Sequence, residues 1–201
     1  RILARLRQAG HEAVLVGGVV RDGLLAELGR SVQFPPGDVD IATSALPGEI
    51  RALFPERQIV GVGEEFGVLK IVAPDGRSYE VATFRVEGEY DGRWPGKVKL
   101  VRDLAGDVRR RDLTINGLAA TADGEVIDLV GGVADLTASR IRAIGDPAAR
   151  FAEDHLRMLR AVRFACQIGG RIEDDTAAAI AAEAENIRAI SHERIGEEML
   201  R

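Results

Sequence analysis

Two hydrophobic rhythms run along the chain, and the change from one to the other divides it. Apolar residues at helical spacing run from Arg1 to Ala9 and stop at Gly10, a residue suited to a helix C-terminus. Ala13 to Val16 is a short, wholly apolar run and predicts a buried strand, and Gly23 to Leu28 predicts a helix. A turn-rich stretch, Gln33-Phe34-Pro35-Pro36-Gly37, then delivers a second strand beginning at Asp38. Thr43 to Glu49 reads as a helix entry with Ile50, Leu53 and Phe54 on one face. Phe66–Val72 and Tyr79–Phe84, separated by Pro74-Asp75-Gly76, predict a hairpin. Glu87 to Lys99, rich in glycine and charge with Trp94 isolated in it, predicts a mobile loop. The apolar positions of Arg110 to Ala119 predict a buried helix or helix start. Asp123-Gly124 predicts a short hairpin turn into Val126-Ile127-Asp128, and Asp128 to Leu136 a glycine-hinged connection. Beyond Arg140 the rhythm is helical: one amphipathic helix through Arg150–Ala165, a second over Ile172–Ile190 and a restart at Ser191. The shift near Ser139 predicts a mixed α/β domain over residues 1–139 and a helical domain over 140–201.

Candidate chemistry gathers at the first strand–helix junction and at the second strand. Gly17-Gly18 between strand and helix lets backbone N–H groups approach an anion at a helix N-terminus. Arg21 adds a forked, permanently charged contact for phosphate oxygens. Asp38 and Asp40, at i and i+2 on a strand, point to one side, as a site for divalent cations with oxygen ligands requires. Glu80, charged within an apolar strand, is a candidate third carboxylate for metal binding or for deprotonating a hydroxyl. Taken singly, a glycine pair reads as an ordinary turn, an Asp-x-Asp as a solvated loop and Glu80 as a solvent-facing charge. A phosphate cradle beside a carboxylate pair, however, suggests nucleotide chemistry. The glycines do not follow G-x-G-x-x-G, and Thr43 stands where a calcium loop beginning at Asp38 would need glycine.

Composition narrows the classes. The 201 residues are 46% hydrophobic and 29% charged, ordinary for one or two globular domains. A single cysteine, Cys166, excludes an internal disulfide, and three histidines leave little for a structural zinc site. Apolar runs are too short to span a bilayer and no secretory leader is visible, so a cytoplasmic location is expected. A net charge of −5 argues against a nucleic-acid footprint over the whole surface. Basic residues nonetheless concentrate at Arg109-Arg110-Arg111 and at Arg157, Arg160 and Arg163, compatible with a triphosphate pocket.

Six ordered motifs now line up. They are LVGGVVRDGLL (Leu15–Leu25), GDVDIATSALP (Gly37–Pro47), YEVATFR (Tyr79–Arg85), RRDLTINGLA (Arg110–Ala119), DLVGGVADL (Asp128–Leu136) and EDHLRMLRAVRFA (Glu153–Ala165). Over nearly its whole length the chain resembles the head and neck of the class II, bacterial-type tRNA nucleotidyltransferases and the related bacterial poly(A) polymerases. Both lie in the polymerase-β-like nucleotidyltransferase superfamily. The resemblance implies an α/β head with a mixed sheet and flanking helices, followed by an all-α neck, with the body and tail helices of relatives absent. Leu113 and Gly117 stand where relatives usually carry Phe and Ala, and Trp94 where a basic residue is more usual.

The same resemblance implies roles for matching positions. Gly18 and Arg21 would contact the incoming triphosphate, with Gly17 and Asp22 shaping the loop. Asp38 and Asp40 would hold two Mg²⁺ ions, with Glu80 as third carboxylate. Arg111 would reach the nucleotide, with Asp112 beside it. Asp154 and Arg157 would read the Watson–Crick edges of C and A, assisted at the triphosphate by Arg160 and Arg163. Cytosine and adenine both present an exocyclic amine beside a ring-nitrogen acceptor, which a carboxylate and a guanidinium complement. The implied activity is addition of the 3′-terminal CCA, or its CC or A part, to the tRNA 3′ end from CTP and ATP without a template. A poly(A) polymerase is the nearest alternative, although its Arg/Lys-rich signature is not seen in Gln58–Gly67. A catalytically silent nucleotide-binding module is the alternative from another class, and a retained Asp38/Asp40 pair speaks against it.

Overall fold

The computed structural model describes residues 1–30, 39–87, 90–91, 94–95 and 98–200. Helix α1 (Ile2–Gln8) ends ahead of Gly10, strand β1 (Ala13–Val16) follows, and helix α2 (Gly18–Glu27) starts directly after Gly17. The predicted turn over Gln33–Gly37, and Asp38 with it, lie outside the described residues. Next come β2 (Asp40–Thr43), α3 (Pro47–Leu53), β3 (Ile59–Gly63), β4 (Val68–Val72) and β5 (Ser78–Thr83). Pro47 at the first helical position and the Glu49 carboxylate, accepting the Leu46 N–H at 2.7 Å, start α3.

Short strands β6 (Arg85–Glu87), β7 (Tyr90–Asp91), β8 (Trp94–Pro95) and β9 (Val98–Leu100) follow, β6 pairing with β9 and β7 with β8. The expected loop over Glu87–Lys99 is therefore an antiparallel ribbon where it is described. Backbone pairing builds it, and side-chain composition does not register that. Then come α4 (Leu104–Arg109), a 3₁₀ turn at Thr114–Asn116, β10 (Ala119–Ala120), β11 (Val126–Ile127), α5 (Gly132–Thr137) and β12 (Arg140–Ile141). The chain continues with α6 (Pro147–Glu153), α7 (Leu156–Ile168), β13 (Arg171–Ile172), α8 (Asp174–Glu183), a 3₁₀ turn at Ala184–Ala189 and α9 (His192–Met199).

Seven strands form one mixed sheet in the order β11-β10-β1-β2-β5-β4-β3. Only β2 and β5 run parallel within it, in the register Asp40↔Glu80 to Thr43↔Thr83. Strand periodicity sends Ala13, Ile41, Leu69, Ile71 and Val81 to one face, where α1 and α3 cover them with Leu6, Ile50 and Phe54. Val14, Val16, Ala42 and Phe84 face the other way, onto Leu104 and Val108 of α4. A third cluster joins Val20 and Leu25 of α2, Leu113, Ile115 and Leu118, Leu136 of α5, and Ala161 and Phe164 of α7. Apolar packing thus crosses the division expected at residues 139/140 without a break, and Ile141 belongs to the same cluster.

Three predicted helices take other forms. Arg110–Ala119 yields one 3₁₀ turn and then β10, because its backbone bonds elsewhere: Thr114 N–H reaches Arg142 O and Leu113 N–H the Asp112 carboxylate. Ile172 leaves the expected Ile172–Ile190 helix to pair with Ile141 in a two-residue parallel ladder between β12 and β13. The helix proper starts after Glu173, whose carboxylate accepts Thr176 N–H. The helix expected through Arg150–Ala165 breaks at Asp154–His155.

Gly132 opens α5 against the Thr114 turn, where a Cβ would stand 2.2 Å from Thr114 O. The departure at Gly117 has a similar cause, since a Cβ there would meet Val130 at 2.9 Å and Ile144 at 3.0 Å. Gly132→Ala is expected to lower stability by roughly 3 kcal/mol in urea denaturation, the cost of overpacking. Gly48→Ala, in α3 with nothing within 4 Å of the new Cβ, is expected to be neutral or stabilising in the same assay.

Candidate nucleotide site

The β1–α2 junction sets the site's geometry. Gly17 takes φ +71°, a conformation open to glycine, and its carbonyl accepts the first helical bonds from Val20 and Arg21. A Cβ there would come 3.4 Å from Nη1 of Arg111, so the glycine also gives a guanidinium room to approach the helix N-terminus. One turn on, Arg21 is held at three points. Its Nε donates to Asp22 Oδ1 at 2.8 Å, its Nη1 donates to Asn116 Oδ1 at 2.7 Å, and its guanidinium lies 4.6 Å from the Phe164 ring centroid. Asp22 thereby orients the arginine beside it.

Arg111 is fixed from behind by Asp107, which sequence reasoning did not single out. Asp107 is 1% exposed; one carboxylate oxygen accepts from Arg110 and the other from Arg111, the latter at 3.0 Å through Nη2. Burial pushes this carboxyl up, and the two guanidiniums outweigh it, holding Asp107 below the usual carboxylate range. Asp112 repeats the device. Its two oxygens accept from Arg160 Nε at 2.6 Å, Leu113 N–H at 2.8 Å and Asn116 Nδ2 at 3.2 Å. Burial again raises the carboxyl and Arg160 beside it reverses the shift, while Asp112 and, more weakly, Glu198 and Asp154 raise Arg160 against the cost of its burial. Asp112 sits beneath the site and acts through the donors it orients.

Asp40 and Glu80 stand side by side across parallel β2 and β5, on the α4 side of the sheet that also carries Ala42. Glu80 is half exposed and lies 3.6 Å from Lys70 Nζ on the neighbouring strand. Asp38 is outside the described residues, and among the described residues no three acids, histidines or cysteines cluster as metal ligands. Adjacent carboxylates supply only hard oxygen donors, a set that suits Mg²⁺ and not zinc.

Asp154 and Arg157 do not share the helical face that i, i+3 spacing implied. Asp154 leaves α6 in extended conformation, and its carboxylate accepts Leu156 N–H at 3.1 Å, the local bond that competes with helix. Arg194 of α9 donates to both its oxygens, at 2.9 Å and 3.4 Å. Arg157 pairs instead with Glu153 and donates to Arg150 O. Arg163 donates to Glu198, 4% exposed on α9, at 2.6 Å, and stacks on Phe164 at 4.1 Å. Arg194 and Glu198, four apart on an amphipathic helix, carried the signal for these contacts, but the sequence did not name their partners.

A glycine-started helix packed against an arginine-bearing helix, beside a mixed sheet that carries paired carboxylates, defines a polymerase-type head domain joined to a helical neck. The chain belongs to the poly A polymerase head domain family, matched over residues 13–142. Residues 170–201 match a second family, described as the probable RNA and SrmB-binding site of polymerase A. The chain is 49% identical over its full length to the CCA-adding enzyme of Levilactobacillus brevis, spanning 48% of that protein. It is 47% identical over 96% of its length to the CCA-adding enzyme of Bacillus pumilus, spanning 46% of that one. Among solved structures, the Bacillus stearothermophilus CCA-adding enzyme in complex with CTP superposes with a TM-score of 0.85 at 42% identity, over 98% of this chain and 46% of that one. The chain thus spans about half the length of the relatives it matches.

Asp112 provides a stability test. Its folded pKa is depressed, so the contribution of its pair is complete above the unfolded value of about 3.9 and is lost as pH falls further. Asp112→Asn, which takes the carboxylate from the part-buried Arg160 guanidinium, is expected to cost about 2 kcal/mol at pH 7 in chemical denaturation. The gap to the parent is expected to narrow as pH falls below about 4, where the unfolded chain's carboxylate takes up a proton that the folded one, with its depressed pKa, still resists.

Proposed function

We propose that this chain is the catalytic head and base-reading neck, residues 1–139 and 140–201, of an enzyme that adds the 3′-terminal CCA, or its CC or A part, to tRNA from CTP and ATP without a template. The observation that carries the reading is the convergence of Arg21, Arg111, Arg160 and Arg163 on the glycine-started helix α2. Such an array suits a triphosphate, whose charge it neutralises and whose oxygens match the guanidinium fork. The likeness to CCA-adding enzymes supports the specific reaction.

In this reading Asp40, with Asp38 and Glu80, holds two Mg²⁺ ions, which when bound supply charge stabilisation for in-line nucleotidyl transfer. Gly17 and Gly18 leave backbone N–H groups of α2 open to phosphate, Arg21 and Arg111 clamp the triphosphate, and Asp112 and Asp22 aim the arginines. Asp154 accepts from the exocyclic amine of C or A, and Arg157 donates to the ring nitrogen. Leu156 and Arg194 take three of roughly four acceptor positions on Asp154, so its orientation is set before a base arrives. Uracil and guanine reverse the donor–acceptor order and leave charged groups unpaired. The reading places the enzyme in the cytoplasm with its substrates; among the described residues no helix is long and apolar enough to cross a membrane.

Asp40→Ala is expected to abolish incorporation of labelled nucleotide while leaving the unfolding midpoint near the parent's, since Asp40 is exposed; normal turnover would refute the carboxylate role. Arg157→Ala is expected to reduce rejection of UTP and GTP by roughly 10- to 100-fold, the worth of a charged hydrogen bond. Incubating the protein with tRNA ending at the discriminator base, in C or in CC should give stepwise C, C, A and then termination. Long A tails would instead support the alternative reading, a poly(A) polymerase.

A further inference from the structure

Phe164 is apolar, yet it touches three of the site's arginines. Its ring, 5% exposed on α7, has guanidinium carbons 4.1 Å (Arg163), 4.6 Å (Arg21) and 5.6 Å (Arg160) from its centroid. Arg21 comes from α2 and the other two from α7, so one side chain meets cations from both parts of the molecule. Three like charges around one centre repel. Each guanidinium has a carboxylate along its edge: Asp22 for Arg21, Asp112 for Arg160 and Glu198 for Arg163. The aromatic face adds what those acids do not, a negative potential shared by all three. An aliphatic residue would fill the same apolar cluster beside Val20 and Ala161 without it.

We propose that Phe164 is a positioning residue for triphosphate recognition: its ring holds Arg21, Arg160 and Arg163 at the spacing that receives phosphate oxygens and locks the glycine loop of α2 to α7. The proposal rests on the nucleotidyl-transfer reading and goes beyond it, assigning the alignment of the phosphate subsite to an apolar side chain. Phe164 acts through the arginines and touches no reacting atom. It follows that the binding of phosphates, and not of base and sugar, depends on the aromaticity of this position.

The test compares Phe164→Leu, Phe164→Met and Phe164→Tyr with the parent in the full chain, with thermal unfolding as the check on folding. Phe164→Leu and Phe164→Met should each raise the KM for CTP and the Kd for inorganic tripolyphosphate by about 10-fold, with kcat changed far less. Binding of cytidine should be unchanged, and Phe164→Tyr should restore tripolyphosphate affinity. If the Leu variant does not fold, the Met variant carries the comparison. Unchanged tripolyphosphate binding in the aliphatic variants would overturn the proposal alone, as would equal weakening of cytidine or failure of Tyr to rescue. A parent that binds neither CTP nor tripolyphosphate would overturn the nucleotidyl-transfer reading and this proposal with it.

Discussion

Guanidinium groups repel one another, and several can share a slot only where carboxylates have been buried among them. Asp107, Asp112 and Glu198 do this, each exposed by less than a tenth and each spanned by arginine. Taking such acids out of water is unfavourable, and the adjacent guanidiniums outweigh that penalty, which holds Asp107 and Asp112 below the usual carboxylate range. The result is an arginine array with fixed directions.

The fold delivers these groups to one place. Strand β1 lies inside the sheet between β10 and β2, so the glycine loop after it opens close to Asp40 on β2 and to Glu80 one strand further. The segment between α4 and β10 bonds to tertiary partners, and that lets Asp112 and Asn116 reach α7 and α2 together. One apolar cluster packs α2, this segment, α5 and α7, so the glycine loop and the arginine-bearing helix are parts of one packed body. Gly132 and Gly117 permit the close approach of backbone that this cluster requires.

The two parts of the site answer to different constraints. Around α2, Arg21, Arg111, Arg160 and Arg163 are each anchored by an acid, Asp22, Asp107, Asp112 and Glu198. Between α6 and α7, Asp154 is anchored by a helix 40 residues later, and Arg157 by the glutamate four residues before it. A break between α6 and α7 separates the two side chains that helical spacing had paired. Asp154 is the residue responsible, because a short carboxylate beside its own backbone offers the chain a bond that a continuous helix would forfeit.

Local chemistry alone determined much here. Apolar periodicity placed β1, the β4–β5 hairpin and the terminal helices, Asp123-Gly124 placed the turn before β11, and the glycine pair marked the strand–helix junction, because each depends on neighbours in the chain. Asn116, Arg194 and Glu198 take their meaning from Arg21, Asp154 and Arg163, and the ring of Phe164 from Arg21, all far away in the chain, and no periodicity carries that information. Asp107 meets Arg110 and Arg111 within one helical turn, but its burial comes from the fold. The same holds for the 3₁₀ turn at Thr114–Asn116 and the break at Asp154, where side-chain and tertiary hydrogen bonds compete with helix and win. Which acid meets which arginine was decided by tertiary packing, since burial alone makes such a pairing strong and burial is a property of the folded chain.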